Sequence, residues 1–359
     1  MAHEEPNKAS SSLKLPFKVR FLLAAHTAAV NASKLLNGTV RQQFIDFMDT
    51  KVPPSPTTTP IKGVTSTDFI VSQPRNLWFR LYNPPSTTTK LPTVIFFHGG
   101  GFVYFSADSK PFDELCKRLA RELPAVVISV NYRLAPAYKF PSQYDDGFDA
   151  LKFIDSTDFQ PPENMDLKHV FLSGDSAGGN LAHHVTVRAG QHMFREVKIA
   201  GLVLLMPFFG GEELTESEKR LTNVPLINVE TTDWMWKSFL PEGATRNHAA
   251  VNVFGAEGAD ISALPWPSTA VFVAGFDPLQ DWQRRYVEWL KGSGKDAMVF
   301  EYTTAFHGCY TFSEIKENVK IIEDFREFIK KQMTAVDEAP SGDTTAGNST
   351  AREHVQEEK

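Results

Sequence analysis

Largely apolar runs alternate with segments of helical period along most of this chain. The runs fall at residues 92–97, 126–132, 170–173, 199–206, 269–274 and 298–302. Between or after them, residues 111–122, 143–154, 177–190, 280–292 and 315–333 repeat apolar positions at helical spacing. Strands that are apolar throughout must be covered on both faces, so the alternation predicts an α/β fold with a mostly parallel sheet flanked by helices. Two shorter runs, 67–71 and 77–82, joined by SQPRN, read as a hairpin and bring the sheet to about eight strands. The rhythm fails over residues 208–262, where Trp234, Trp236 and Phe239 occur, and this interval is expected to be a cap insert lining a cavity.

Ahead of the sheet, residues 16–48 carry two helical patterns, Phe21, Leu22, Ala25 and Ala29 in the first and Phe44, Phe47 and Met48 in the second. Leu36, Asn37, Gly38 and Thr39 read as the turn between them. An apolar helix pair must bury its stripe on something, and the expectation is a lid over the top of the sheet; the competing reading is a core-packing extension. Residues 53–60, rich in Pro and Thr, read as a linker. Residues 1–14 and the acidic, Ser/Thr/Gly-rich tail 336–359 have no apolar face and are expected to be disordered, which leaves 15–335 as a single domain.

With 359 residues, 42% of them hydrophobic, the chain can bury one large core. A net charge of -6 with scattered Lys and Arg leaves no basic stripe for nucleic acid and no polybasic membrane anchor, so a small-molecule partner is expected. Cys116 and Cys309 are too few for a disulfide framework. The first residues are polar, and the apolar stretch 21–30 is short and interrupted by His26, so neither a leader nor a membrane span is expected. The chain therefore reads as cytoplasmic or nuclear rather than secreted. No HxxxH or CxxC spacing suggests a metal, and neither metal nor cofactor is expected.

The candidate chemistry centres on VFLSGDSAGGN, residues 170–180, where Gly174, Ser176 and Gly178 fall between an apolar strand and a helix. That is the setting of a nucleophile elbow, in which a strained turn exposes a serine above the sheet. Ala177 would present its N–H at the helix N-terminus to a developing oxyanion. A second oxyanion element is expected at His98, Gly99, Gly100 and Gly101, a glycine-rich loop leaving the run 92–97; the donors are Gly100 with Gly101, or Gly99 with Gly100. His98 itself reads as a loop-ordering hydrogen-bond residue.

A serine nucleophile in this fold needs a carboxylate and then a histidine later in the chain. His307 follows the last apolar run by a short loop and precedes the final helix, and is the expected base; His183, His184, His192 and His248 fall on a helix or in the cap. Asp277, at the end of TAVFVAG and before Pro278, is the expected acid, with Asp281 as its main competitor. Asp175, Asp145 and Asp146 read as structural carboxylates.

HGGGF, NYRLAP, YDDG, GDSAGGN, FDPLQD and AFHG occur in this order, and residues 64–333 resemble the hormone-sensitive-lipase-like branch of the α/β-hydrolase family. LKLPFKVRF, LNGTVRQQFIDFMDTKVPP and PFFGGEELTESE are similar to segments of the plant carboxylesterases, a group that includes the gibberellin receptors. The resemblance implies a carboxylesterase acting on small-molecule esters without metal or cofactor. It implies Ser176, Asp277 and His307 as triad, Gly99, Gly100, Gly101 and Ala177 around the oxyanion, and an N-terminal lid over an apolar pocket. Phe102, Phe21, Trp234, Trp236 and Phe239 are the candidate pocket residues. One departure is visible, Ala137 and Tyr138 where the family commonly has Glu and His. The resemblance also sharpens the alternatives, a hormone receptor, in which the catalytic histidine is replaced, or a scaffold repurposed for acyl transfer or elimination; this chain keeps His307.

Overall fold

The computed structural model describes residues 13–34, 40–41, 44–45, 49–55, 59–85 and 89–338. Strands β1 (Thr65–Ser72), β2 (Leu77–Asn83), β3 (Leu91–Phe97), β4 (Val126–Asn131), β5 (Met165–Asp175), β6 (Ile199–Leu205), β7 (Thr269–Phe276) and β8 (Ala297–Phe306) form one sheet in the order β1-β2-β4-β3-β5-β6-β7-β8. The β1–β2 hairpin and the β2–β4 pair are antiparallel, and all other pairs are parallel. The helices are α1 (Phe17–Ser33), α2 (Lys110–Glu122), α3 (Ser142–Asp155), α4 (Ala177–Ala189), α5 (Glu216–Arg220), α6 (Val229–Phe239), α7 (Gln280–Gly292) and α8 (Lys316–Glu338).

Successive side chains of a strand point to opposite faces, and here both faces are buried. In β3, Ile95 and Phe97 join one core while Val94 and Phe96 join the other; in β5, Val170 and Leu172 part from Phe171 in the same way. The first core is covered by α3, α4 and α7 through residues such as Leu151, Leu181 and Leu290. The second is covered by α2 and α8 through Leu115, Leu119, Ile321 and Phe325.

Boundaries differ from the sequence reading where pairing extends a run. β8 continues past residue 302 to Phe306 because, beyond a register shift between Ala274 and Phe276, it pairs with β7 again at Phe276–Phe306, and so it delivers His307 directly. α8 runs to Glu338, so the tail expected from 336 begins inside a helix; residues 339–359 lie outside the described residues, as do 1–12, the Leu36–Thr39 turn, Phe47 and Met48.

The N-terminal stripe divides: Leu22, Ala25 and Ala29 line one cavity, and Phe21 does not line it. α1 buries Val19, Leu23 and Val30, spaced for one side of a helix, while Phe21 is 65% exposed on the other. The 208–262 interval holds α5, begun by a capping box from Thr215 and Glu218, and α6, whose first turn is capped by Asn228.

Candidate active site

β5 ends at Asp175 and α4 begins at Ala177, so Ser176 alone makes the turn between them, at φ 50° and ψ -118°. A non-glycine residue held in such a sparsely populated region costs on the order of 1–3 kcal/mol, which the surroundings must over-determine. They do: Ser176 N donates to Leu205 O at 2.9 Å, and Ser176 O accepts from Phe208 N at 2.9 Å. The flanking glycines are steric necessities. A Cβ on Gly174 would stand 2.2 Å from Gly178 O, and one on Gly178 would stand 1.9 Å from Phe97 O.

The loop after β3 begins with His98, buried and stacked on Tyr132 at 4.3 Å between ring centres. Its Nδ1 donates to Gly99 O at 2.9 Å, and burial pulls its imidazole down to about 4, as suits a neutral loop-ordering residue. Gly100, Gly101 and Phe102 then follow one another at φ 110°, 63° and 63°, curling the loop toward Ser176. Gly100 and Gly101 line the same cavity as Ser176. Gly99 does not serve as the oxyanion donor expected of it: its N–H is taken by Asp175 Oδ1 at 2.7 Å. That leaves the N–H groups of Gly100, Gly101 and Ala177, none of which donates to an acceptor among the described residues.

His307, immediately after β8, donates from Nδ1 to Asp277 Oδ2 at 2.8 Å. Asp277 is fully buried just past β7, and it also accepts from Leu279 N and from Gln283 Nε2, both at 2.9 Å. Gln283 escaped the sequence reading; its signal was its position about one turn into the helix that follows Asp277. Asp281 is elsewhere: its Oδ2 accepts from Ser217 N at 2.8 Å, anchoring the cap. Asp175 is buried and lines the same cavity as Ser176, and its second oxygen accepts from Tyr310 Oη at 2.9 Å. Burial pushes its carboxyl up to about 7, against the pull of Tyr310, His307 and the Gly99 N–H. Asp146, also fully buried, binds Arg133 through both oxygens at 2.8 and 2.9 Å, which ties the NYRLAP loop to the YDDG helix.

Ser176 and His307 open into a cavity of about 420 Å³. Its walls are apolar, with Ala29 and Val30 of α1, Phe44, Phe105, Ile227 and Met235 among them. His26 joins them from α1, stacked on Phe105, and burial lowers its pKa. The pocket aromatics expected from the sequence lie elsewhere. Phe102 is buried and stacked on Phe239 at 4.0 Å, and Trp236 is stacked on Phe208 at 3.9 Å, so all three belong to the core beneath the cap. Trp234 packs on Tyr104 outside the lining, and Phe21 lies on the outer face of α1. The reason is helical phase: on α6 only Met235 turns toward the cavity, against Gly101, where a Cβ would meet its sulfur at 2.2 Å.

Among the described residues, no group of three His, Cys, Asp or Glu is placed to hold a metal ion, and no helix is long and apolar enough to cross a membrane. A family profile for the alpha/beta hydrolase fold matches residues 94–311. Gibberellin receptor GID1C of Arabidopsis thaliana is 36% identical over 343 residues, covering 92% of this chain and 98% of that one. Carboxylesterase 20 of Arabidopsis thaliana is 37% identical over 286 residues, covering 76% and 86%. Among solved structures, an esterase from Pyrobaculum calidifontis superposes with a TM-score of 0.68 at 26% identity, covering 90% of this chain and all of that one. With the profile running from β3 past His307 and relatives aligned along most of its length, this carboxylesterase-like chain belongs to the alpha/beta hydrolase family.

Proposed function

We propose that the chain is a carboxylic ester hydrolase working through an acyl-enzyme on Ser176. The observation that carries the reading is the 2.8 Å hydrogen bond from His307 Nδ1 to buried Asp277, made by a histidine on the wall of the cavity that holds Ser176. With Nδ1 engaged, Nε2 is the nitrogen that takes the serine proton. Ser176 Oγ attacks the ester carbonyl carbon, and the charge that develops on the carbonyl oxygen meets the N–H groups of Gly100, Gly101 and Ala177. The carbon–oxygen bond to the alcohol breaks, His307 returns the proton to the leaving alkoxide, and water then cleaves the acyl-serine with the same base. The apolar walls suit a small, uncharged ester, and no step requires a metal or cofactor.

The test is turnover of p-nitrophenyl acetate and butyrate by purified protein, together with mass spectrometry of the chain after treatment with an alkyl phosphonate. Hydrolysis and a single covalent adduct on Ser176 are expected. A second reading, a hormone receptor, is favoured by the identity to GID1C along nearly the whole chain. Saturable binding of a gibberellin with neither turnover nor labelling would replace the first reading by the second.

A further inference from the structure

Three loops must hold their places for acyl transfer in the proposed site: the elbow at Ser176, the glycine loop after β3, and the turn carrying His307. One buried side chain touches all three. Asp175 precedes the serine; its Oδ1 accepts from Gly99 N at 2.7 Å and its Oδ2 accepts from Tyr310 Oη at 2.9 Å, three residues after His307. The two bonds span 76 and 135 residues of chain, so no local structure substitutes for them. Space is as tight as the hydrogen bonding, since a Cβ on Gly99 would lie 2.4 Å from Asp175 Oδ2. Tyr310 is itself buried, and its backbone carbonyl is held by Asn318 Nδ2 at 3.1 Å.

We infer that Asp175 is a positioning residue, a two-ended tether that sets the oxyanion loop and the histidine turn against the nucleophile. Its distance from the reacting atoms is bridged in each direction by a single hydrogen bond. By taking the Gly99 N–H, it fixes the His98–Gly99 peptide and so aims the next two N–H groups of the loop. By taking the Tyr310 hydroxyl, it anchors the far side of the turn that carries His307. Breaking either hydrogen bond lets a loop relax, and misplaced oxyanion donors weaken the transition state more than the ground state.

The inference rests on the esterase reading, and its test separates the two. Asp175→Ala removes both acceptors; Asp175→Asn keeps one oxygen for Gly99 and offers an N–H that the Tyr310 hydroxyl accepts; Tyr310→Phe removes one end while keeping the ring. On p-nitrophenyl butyrate, Asp175→Ala should lose on the order of 10²-fold in kcat, the scale of a lost oxyanion donor, with KM within about threefold. Asn should restore most of that loss, and Tyr310→Phe should lose roughly tenfold in kcat alone. Should the Ala variant fail to fold, the Asn and Phe variants carry the same contrast. Amide hydrogen exchange of the peptide containing residues 98–104 provides an arm independent of activity, with protection falling in Asp175→Ala and kept in Asp175→Asn. Wild-type protein inert toward esters and phosphonate would end the esterase reading, and the exchange arm would still decide the tether. Unchanged protection in the Ala variant, an Asn variant as damaged as Ala, or losses appearing as KM rather than kcat would overturn the inference.

Discussion

Two aspartates four positions apart, Asp277 and Asp281, perform different work because they meet different partners. Asp277 is buried and accepts from His307, Gln283 and Leu279, whereas Asp281 sits at the start of α7 and accepts from the backbone of Ser217. In the proposed mechanism the first holds the imidazole's tautomer and stabilises its charged form. We expect His307→Ala to lower kcat by at least several hundredfold, and Asp277→Asn to lower it on the order of 10³-fold, because the amide presents a donor where the imidazole needs an acceptor. Asp281→Asn should stay within about tenfold and register as a fall in melting temperature, since surface-anchoring hydrogen bonds contribute about 1 kcal/mol each. Steady-state kinetics on one ester with all three variants measures the contrast, and an Asp281 variant worse than the Asp277 variant would reassign the acid.

At the scale of elements, α1 is both wall and attachment. It supplies His26, Ala29 and Val30 to the cavity and is fixed by Val19 and Leu23 in one core, by Ser33 Oγ against Tyr104 Oη at 3.0 Å, and by the Lys18–Glu314 ion pair. Burying three aliphatic side chains stabilises by roughly 1.5–3 kcal/mol each. Ordering the helix's 17 residues costs roughly 1–2 kcal/mol apiece before its own hydrogen bonds are counted. An element so weakly held is separable from the sheet it covers. Removing residues 1–50 should therefore leave a cooperatively folding domain whose melting temperature falls by several degrees, with KM for bulky esters rising far more than KM for acetyl esters. Thermal melts and two esters of different size decide it, and loss of the unfolding transition with equal loss on both esters would show that α1 is core instead.

The whole molecule carries its pH dependence in buried groups. Burial pulls His98 down to about 4 and His184 to about 3 from an ordinary 6.5, and His183 well below it. An unfolded chain protonates these histidines as pH falls below 6.5 while the native chain does not, so their contribution to stability is complete above 6.5 and is lost toward pH 4. Asp175 acts oppositely: raised from 3.8 to about 7, it keeps a proton in the native state that the unfolded chain has released, and its contribution is lost as pH rises through 7. The histidines that burial holds down, His26 among them, outweigh the buried Asp175 carboxyl and leave stability rising with pH from about 4 to 6 and flattening near 7. Urea midpoints at pH 4.5, 5.5, 6.5 and 7.5 should follow that curve; a midpoint higher at 4.5 than at 6.5 would contradict it.

By itself the sequence determined what is set within a few residues of chain. Apolar runs dictate strands buried on both faces, and Gly174 and Gly100 mark places where a Cβ would collide with the backbone oxygen four residues on, Gly178 O and Tyr104 O. Those demands are local and steric, so they are legible in order and spacing. The tertiary structure alone decided which groups meet: that Asp277 rather than Asp281 reaches His307, that Asp175 takes the Gly99 N–H out of the oxyanion set, and that Trp236 and Phe239 fill the core while Met235 faces the cavity. The Asp175–Gly99 bond spans 76 residues and the Asp277–His307 bond spans 30. Their geometry depends on strand register and on the rotation of each helix about its axis. A shift of one residue in either turns a side chain to another face, and only packing of the complete sheet against its helices sets that phase.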